Sequence, residues 1–202
     1  MSKEKVPKDG WPSFKSTNGK PIKNPERYEA CSPGFSYCQP TTSFEQFTKG
    51  VLVNGANYKG GFGRTALMWA SYNGKEEMYV WLLTQSGVNI NITDGAGRYT
   101  ALVLCIATNG LDDRGTGDVG RTKAAIALIK AGADTSIKVD GGQAPIHFAV
   151  ALGNYKVLQC LIQHGADVNI AVKYFNNGDW QTPLHEVCRT HFMSERWRLN
   201  KG

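Results

Sequence analysis

The chain has 202 residues, 41% of them hydrophobic and 20% charged, with a formal net charge of +6. No uninterrupted apolar run approaches the roughly 20 residues of a membrane helix, and the polar start Met1–Lys8 lacks the apolar stretch of a secretory signal, so an intracellular, cytoplasmic location is the default expectation. The odd, scattered set Cys31, Cys38, Cys105, Cys160 and Cys188 argues against a disulfide framework, and the positive charge favours acidic partners without amounting to a nucleic-acid signature.

Residues 1–42 show neither helical nor strand period, and are rich in Lys, Pro, Gly and Ser. They also carry Trp11, Phe14, Tyr28, Phe35 and Tyr37, more aromatics than a solvated tail usually holds. Two readings stand: an extended segment that caps the first helices after it, or a disordered tail. Phe44, Phe47, Val51 and Leu52 then predict one helix, closed by Asn54-Gly55-Ala56-Asn57. A helix from about Thr65 to Tyr72, a turn at Asn73-Gly74 and a helix over Glu76–Thr84 come next, with Ser86 as a one-residue insertion before Gly87. Thr100-Ala101-Leu102 opens another helix that ends near Asn109-Gly110. A glycine- and aspartate-rich excursion, Leu111–Gly120, delays its partner helix to about Thr122–Ala131. Gln143–Ile170 is the cleanest unit: two apolar-periodic runs separated by Gly153, closed by Gly165, neither long enough to be stable alone. Lys173–Trp180 holds the tight-turn pair Asn177-Gly178 and reads as a lengthened hairpin. Pro183–Thr190 predicts a helix, and Met193–Gly202 supplies at most a shortened one with Trp197 and Leu199.

These units repeat. Gly165-Ala166-Asp167-Val168-Asn169 recurs as Gly132-Ala133-Asp134-Thr135-Ser136, as Gly87-Val88-Asn89-Ile90-Asn91 and more weakly as Gly55-Ala56-Asn57. Ala144-Pro145-Ile146-His147 recurs as Thr182-Pro183-Leu184-His185, Thr65-Ala66-Leu67-Met68 and Thr100-Ala101-Leu102-Val103. The pattern resembles the ankyrin repeat, whose period is about 33 residues and whose signature is T-P-L-H-x-A. The resemblance covers Ser43 to Leu199, about four repeats plus a degenerate first one. It implies an all-α, ankyrin-type helix-turn-helix solenoid with short β-hairpin fingers over 43–202, apart from the segment 1–42. Thr100 and Ala144 lie about eleven residues further apart than the period, and Ala144 and Thr182 about five further. The excursion and the long hairpin account for these surpluses.

An array of this kind implies a protein-binding module rather than an enzyme, with a protein partner and no cofactor or metal. Its first helices line a concave face and its finger tips one edge. By that resemblance the residues offered to a partner are Tyr58, Lys59, Phe62, Arg64, Tyr72 and Asn73 in the first full repeat, and Asp94, Arg98, Tyr99 and Thr108 in the second. Asp140, Gln143 and Leu152 follow in the third, and Tyr174, Phe175, Trp180 and Gln181 in the fourth. Tyr, Trp and Arg among them are the types that usually dominate binding energy. His147 and His185 fall at the family's histidine position, where the ring ties one repeat to the next. Cys105, Cys160 and Cys188 fall within predicted helices and read as core.

Other chemistry has weaker support. His185, Cys188 and His191 are spaced along one helix, but a structural zinc site wants four ligands. Cys31 or Cys38 with His164 would be an unsupported nucleophilic pair. Gly60–Thr65 lacks the spacing of a phosphate loop, and Asp112, Asp113 and Asp118 do not match a calcium loop. Two alternative functions stay open. One is a bacterial or viral effector or adaptor acting in a host cytoplasm, with any activity in residues 1–42. The other is binding of nucleic acid or an anionic surface by the basic ends, which predicts affinity falling steeply with salt.

Overall fold

In the computed structural model, residues 38, 42–107, 119–173 and 180–188 are described. Helix α1 spans Phe44–Asn54, α2 Ala66–Tyr72, α3 Glu76–Thr84, α4 Ala101–Ala107, α5 Val119–Lys130, α6 Pro145–Ala151 and α7 Tyr155–Gln163. A single 3-10 turn, Gly61–Gly63, precedes α2, and residues 183–188 are helical. The strands β1 (Val172–Lys173) and β2 (Trp180–Gln181) pair antiparallel, with Val172 opposite Gln181 and Lys173 opposite Trp180.

Polar residues set where the helices begin. The Ser43 hydroxyl accepts the Gln46 amide at 3.3 Å, and the Gln46 side chain accepts the Ser43 amide in return. Thr65 and Thr100 accept the amides of Met68 and Val103 in the same way, which satisfies donors that a helix start leaves without partners. Ala144 has no hydroxyl. There Pro145 at the first helical position and the His147 ring, whose Nδ1 accepts the Ala144 amide at 3.2 Å, do the work.

Packing makes two rows. In the first, α4 lies between α2 and α6; in the second, α3 contacts α1 and α5, and α5 contacts α7. The pairs α2–α3, α4–α5 and α6–α7 link the rows. Helix α4 is buried from Ala101 through Ile106, as a helix apolar on every side must be. At the N-terminal end Phe47 stacks on Trp69 (centroids 6.1 Å apart) and meets Trp81 edge-on, while Cys38 is buried in the same core.

Within α1, as expected one helix, Phe47 and Val51 are buried and Leu52 is 74% exposed. Three local expectations need correction. Helix α5 starts at Val119 rather than Thr122, and Gly120 belongs to it. A Cβ on Gly74 would lie 3.1 Å from the Gly120 Cα, so glycine at both places permits the close approach. Cys105 and Cys160 are core residues, but Cys188 is exposed. The last finger is the strand pair β1–β2, while those before α2, α4 and α6 are closed by backbone bonds (Gly60 to Arg64, Asp94 to Tyr99, Val139 to Gln143) without a strand ladder.

Candidate partner-binding face

The first two fingers are held together by one carboxylate. Asp94 is almost fully buried. Its Oδ1 accepts the amides of Ala96 (3.2 Å) and Tyr99 (2.9 Å), and its own amide donates to the Tyr99 carbonyl. Its Oδ2 receives Nε of Arg64 from the preceding finger at 3.5 Å. Two backbone bonds continue the chain of fingers, from the Gly95 amide to the Phe62 carbonyl (2.7 Å) and from the Asp140 amide to the Gly97 carbonyl (3.0 Å). The repeat pattern offers Asp94 to a partner. Its burial and three acceptor roles make it the internal organiser of the surface instead.

Beside this frame lies Tyr72 at the end of α2. The Arg64 guanidinium carbon sits 5.9 Å from the centre of its ring, and that of Arg121 sits 4.8 Å from it. Helical side chains lean toward the helix N-terminus, which turns the Tyr72 ring back toward Arg64. Arg121 Nε also donates to the Tyr72 carbonyl at 2.7 Å. Delocalised guanidiniums suit both tasks, stacking and directed donation. Sequence reasoning misses Arg121 because it places the residue at the edge of the excursion. One signal is present: a cation in the first turn of a helix opposes the macrodipole, so its presence there needs a reason.

The remaining predicted residues divide. Phe62 (42% exposed), Tyr58 and Arg98 present themselves at the finger tips. Lys59 Nζ reaches the Thr93 carbonyl at 3.2 Å, from one finger to the next. Tyr99 is half-buried against the core. Asn73 directs its amide to the Trp69 carbonyl (2.9 Å) and so ends α2, while Leu152 ends α6 at the equivalent place. Gln143 folds its side chain back over Gly141, where a Cβ would push its amide end aside. Trp180 is 65% exposed on β2, with Gln181 half-buried beside it. Thr108, Tyr174 and Phe175 lie outside the described residues, as do the excursion's aspartates, Cys31, His191 and the basic ends.

The two histidines share one local geometry. His147 is buried, and Nδ1 accepts the Ala144 amide; Nε2 meets no hydrogen-bond partner among the described residues, although the backbone of Ile170 and Gln181, in the next finger, is near enough to favour the charged ring. Burial pushes its pKa down, against the pull of these backbone groups. His185 Nδ1 accepts the Thr182 amide at 3.2 Å and lies 2.8 Å from the Thr182 hydroxyl, which donates to it when Nδ1 is unprotonated. In the glycine-rich turn the amides of Gly60, Gly63 and Arg64 bond within the turn itself. Among the described residues no cluster of three or more His, Cys, Asp or Glu side chains could hold a metal ion.

Paired helices stacked in two rows and joined by finger-like turns define a helical repeat solenoid. The chain carries ankyrin repeats: the ankyrin repeat family model matches residues 62–95 and 141–173, on either side of the repeat that carries the excursion. Ankyrin repeats generally mediate protein–protein interaction and are typically non-enzymatic. No described helix is long and apolar enough to cross a membrane.

Proposed function

We propose that the protein binds a partner protein on the concave face and finger tips of its first repeats, with Tyr72 at the centre and Phe62, Arg64, Arg98 and Tyr99 around it. The observation that carries this reading is the Tyr72 ring with two guanidiniums over it, beside a row of fingers cross-linked through Asp94. A surface braced in this way loses little freedom when it is covered, so more of the contact energy appears as affinity. Arg and Tyr are also the side chains that most often dominate such contacts. Farther along the array, Trp180 and Gln181 on the lengthened finger, with Gln143 and Leu152, would extend the footprint.

The test is capture of a partner from cytosol by the full chain, identification by mass spectrometry, and repetition with a variant. Phe62→Ala with Tyr58→Ala removes two exposed side chains outside the buried core, so the melting temperature should fall little while capture fails. Unchanged capture by that variant would remove the finger tips from the interface. Tyr72→Ala and Tyr99→Ala also abolish capture, but both side chains pack against the core, so their loss lowers stability too.

A further inference from the structure

Three fingers lead into helices α2, α4 and α6 in the same register, and in each the residue two positions before the capping residue has a left-handed backbone. Gly63 (φ 71°) precedes Thr65 in this way, and Gly142 (φ 81°) precedes Ala144. In the middle finger the same slot, before Thr100, holds Arg98 at φ 59°. L side chains adopt this conformation only at a cost that glycine avoids. Among the described residues nothing compensates. Arg98 is exposed, and among the described residues its guanidinium makes no hydrogen bond and no ion pair. Strain kept without a structural return is the mark of a functional position.

The setting indicates what Arg98 is for. Phe62, in the preceding finger, is the other non-glycine residue at positive φ (60°) among the described residues, and its ring is exposed. Its carbonyl is bonded to Gly95, three residues before Arg98. The three fingers also carry basic residues: Lys59 and Arg64 on the finger of Phe62, and Lys138 on the finger after Arg98. Two acids are close in the fold. Asp94 is buried and shared with Arg64, and Asp140 is exposed on the next finger without a bond to Arg98. We infer that Arg98 is the specificity-determining contact of this face, and that it takes a carboxylate from an acidic, extended segment of the partner protein while Phe62 covers an adjacent apolar side chain. The inference rests on the proposed finger-face function and adds the chemistry of the partner.

The full chain is used to select binders from a library of random linear peptides. Peptides enriched in Asp and Glu are expected. Arg98→Gly should weaken them about tenfold at low salt while raising the melting temperature by about 2–4 °C as the strain is relieved. Arg98→Asn, which keeps a residue tolerant of the left-handed conformation, loses the peptides equally, and Arg98→Lys recovers most of the binding. Failure to select any peptide, selection without acidic residues, or a melting temperature lowered by Arg98→Gly would each overturn the proposal. So would Arg98-dependent binding of a labelled single-stranded oligonucleotide in place of peptides. Peptides that need Phe62 but tolerate Arg98→Gly would remove the role of Arg98 and leave the finger face standing. Peptides indifferent to both Phe62→Ala and Arg98→Gly would remove the finger face as well.

Discussion

Arg121 Nε donates to the carbonyl of Tyr72 across 2.7 Å, and so ties the start of one helix to the end of a helix in the preceding repeat. A cation at a helix C-terminus satisfies a carbonyl that the helix leaves open and meets the negative end of its dipole. The next residue, Thr122, receives the side-chain amide of Asn154 from the following repeat at 3.1 Å. The return from the excursion is therefore anchored on both sides. Arg121→Ala should cost about 2 kcal/mol, since a charge-assisted bond and a stacked contact are lost together. Arg121→Lys should recover less than half, because an ammonium cannot stack and donate in one plane. Urea unfolding of the three proteins measures this, and identical midpoints would mean that the bond contributes nothing.

A second line of contacts runs along the loops that follow the outer helices. Asn57 Oδ1 accepts the Asn89 amide (2.8 Å), and Asn91 Oδ1 accepts the Asp134 amide (2.9 Å), each from the next repeat. At the third step Ser136 stands where Asn91 stood, and its hydroxyl turns back to Asp134 at 2.6 Å. The ladder stops there. Asn91→Ala should destabilise by about 1 kcal/mol, and Ser136→Asn should stabilise by about 0.5–1 kcal/mol by offering an acceptor to the Asp167 amide. Thermal unfolding gives both signs, and a destabilised Ser136→Asn protein would contradict the ladder.

The sequence carries the repeat frame well because that frame depends on local chemistry. Capping hydroxyls at Thr65 and Thr100, the histidine at 147 and the glycines after each helix act within a few residues, so their spacing alone defines α2, α3, α6 and α7. What escapes depends on contacts between repeats. Gly120 looks like loop because its role is to let Gly74 approach from 46 positions away. Asp94 looks like a surface acid because its partner Arg64 lies in another finger. The candidate site is legible as a set of residue types. Its centre is not, since Arg121 and Tyr72 meet from 49 positions apart in the sequence.

Asp94 gives the strongest single test of how the fingers are built. Asp94→Ala leaves the amides of Ala96 and Tyr99 without acceptors and releases Arg64, so a loss of about 2–3 kcal/mol is expected. Asp94→Asn keeps one acceptor oxygen for the amides and gives up the charge that faces Arg64, so its cost should be about 1 kcal/mol. Hydrogen exchange at the Tyr99 amide should quicken strongly in the first variant and little in the second. Equal exchange in both would show that the finger holds its shape without this carboxylate.

His147 makes stability depend on pH in a defined direction. Burial lowers its pKa below the ordinary value of 6.5, so the folded state favours the neutral ring. In the unfolded chain the ring takes up a proton at the ordinary value. As pH falls below about 6.5 the unfolded state therefore binds more protons, and stability is lost until the folded pKa is passed; above about 7 the contribution is fully present. His147→Gln retains an oxygen able to accept the Ala144 amide but cannot titrate, so it should flatten this part of the profile while costing some stability at pH 8. Urea midpoints at pH 8, 7, 6 and 5 for both proteins isolate the effect from the other three histidines. Parallel curves would mean that the buried ring is protonated as easily as a free one.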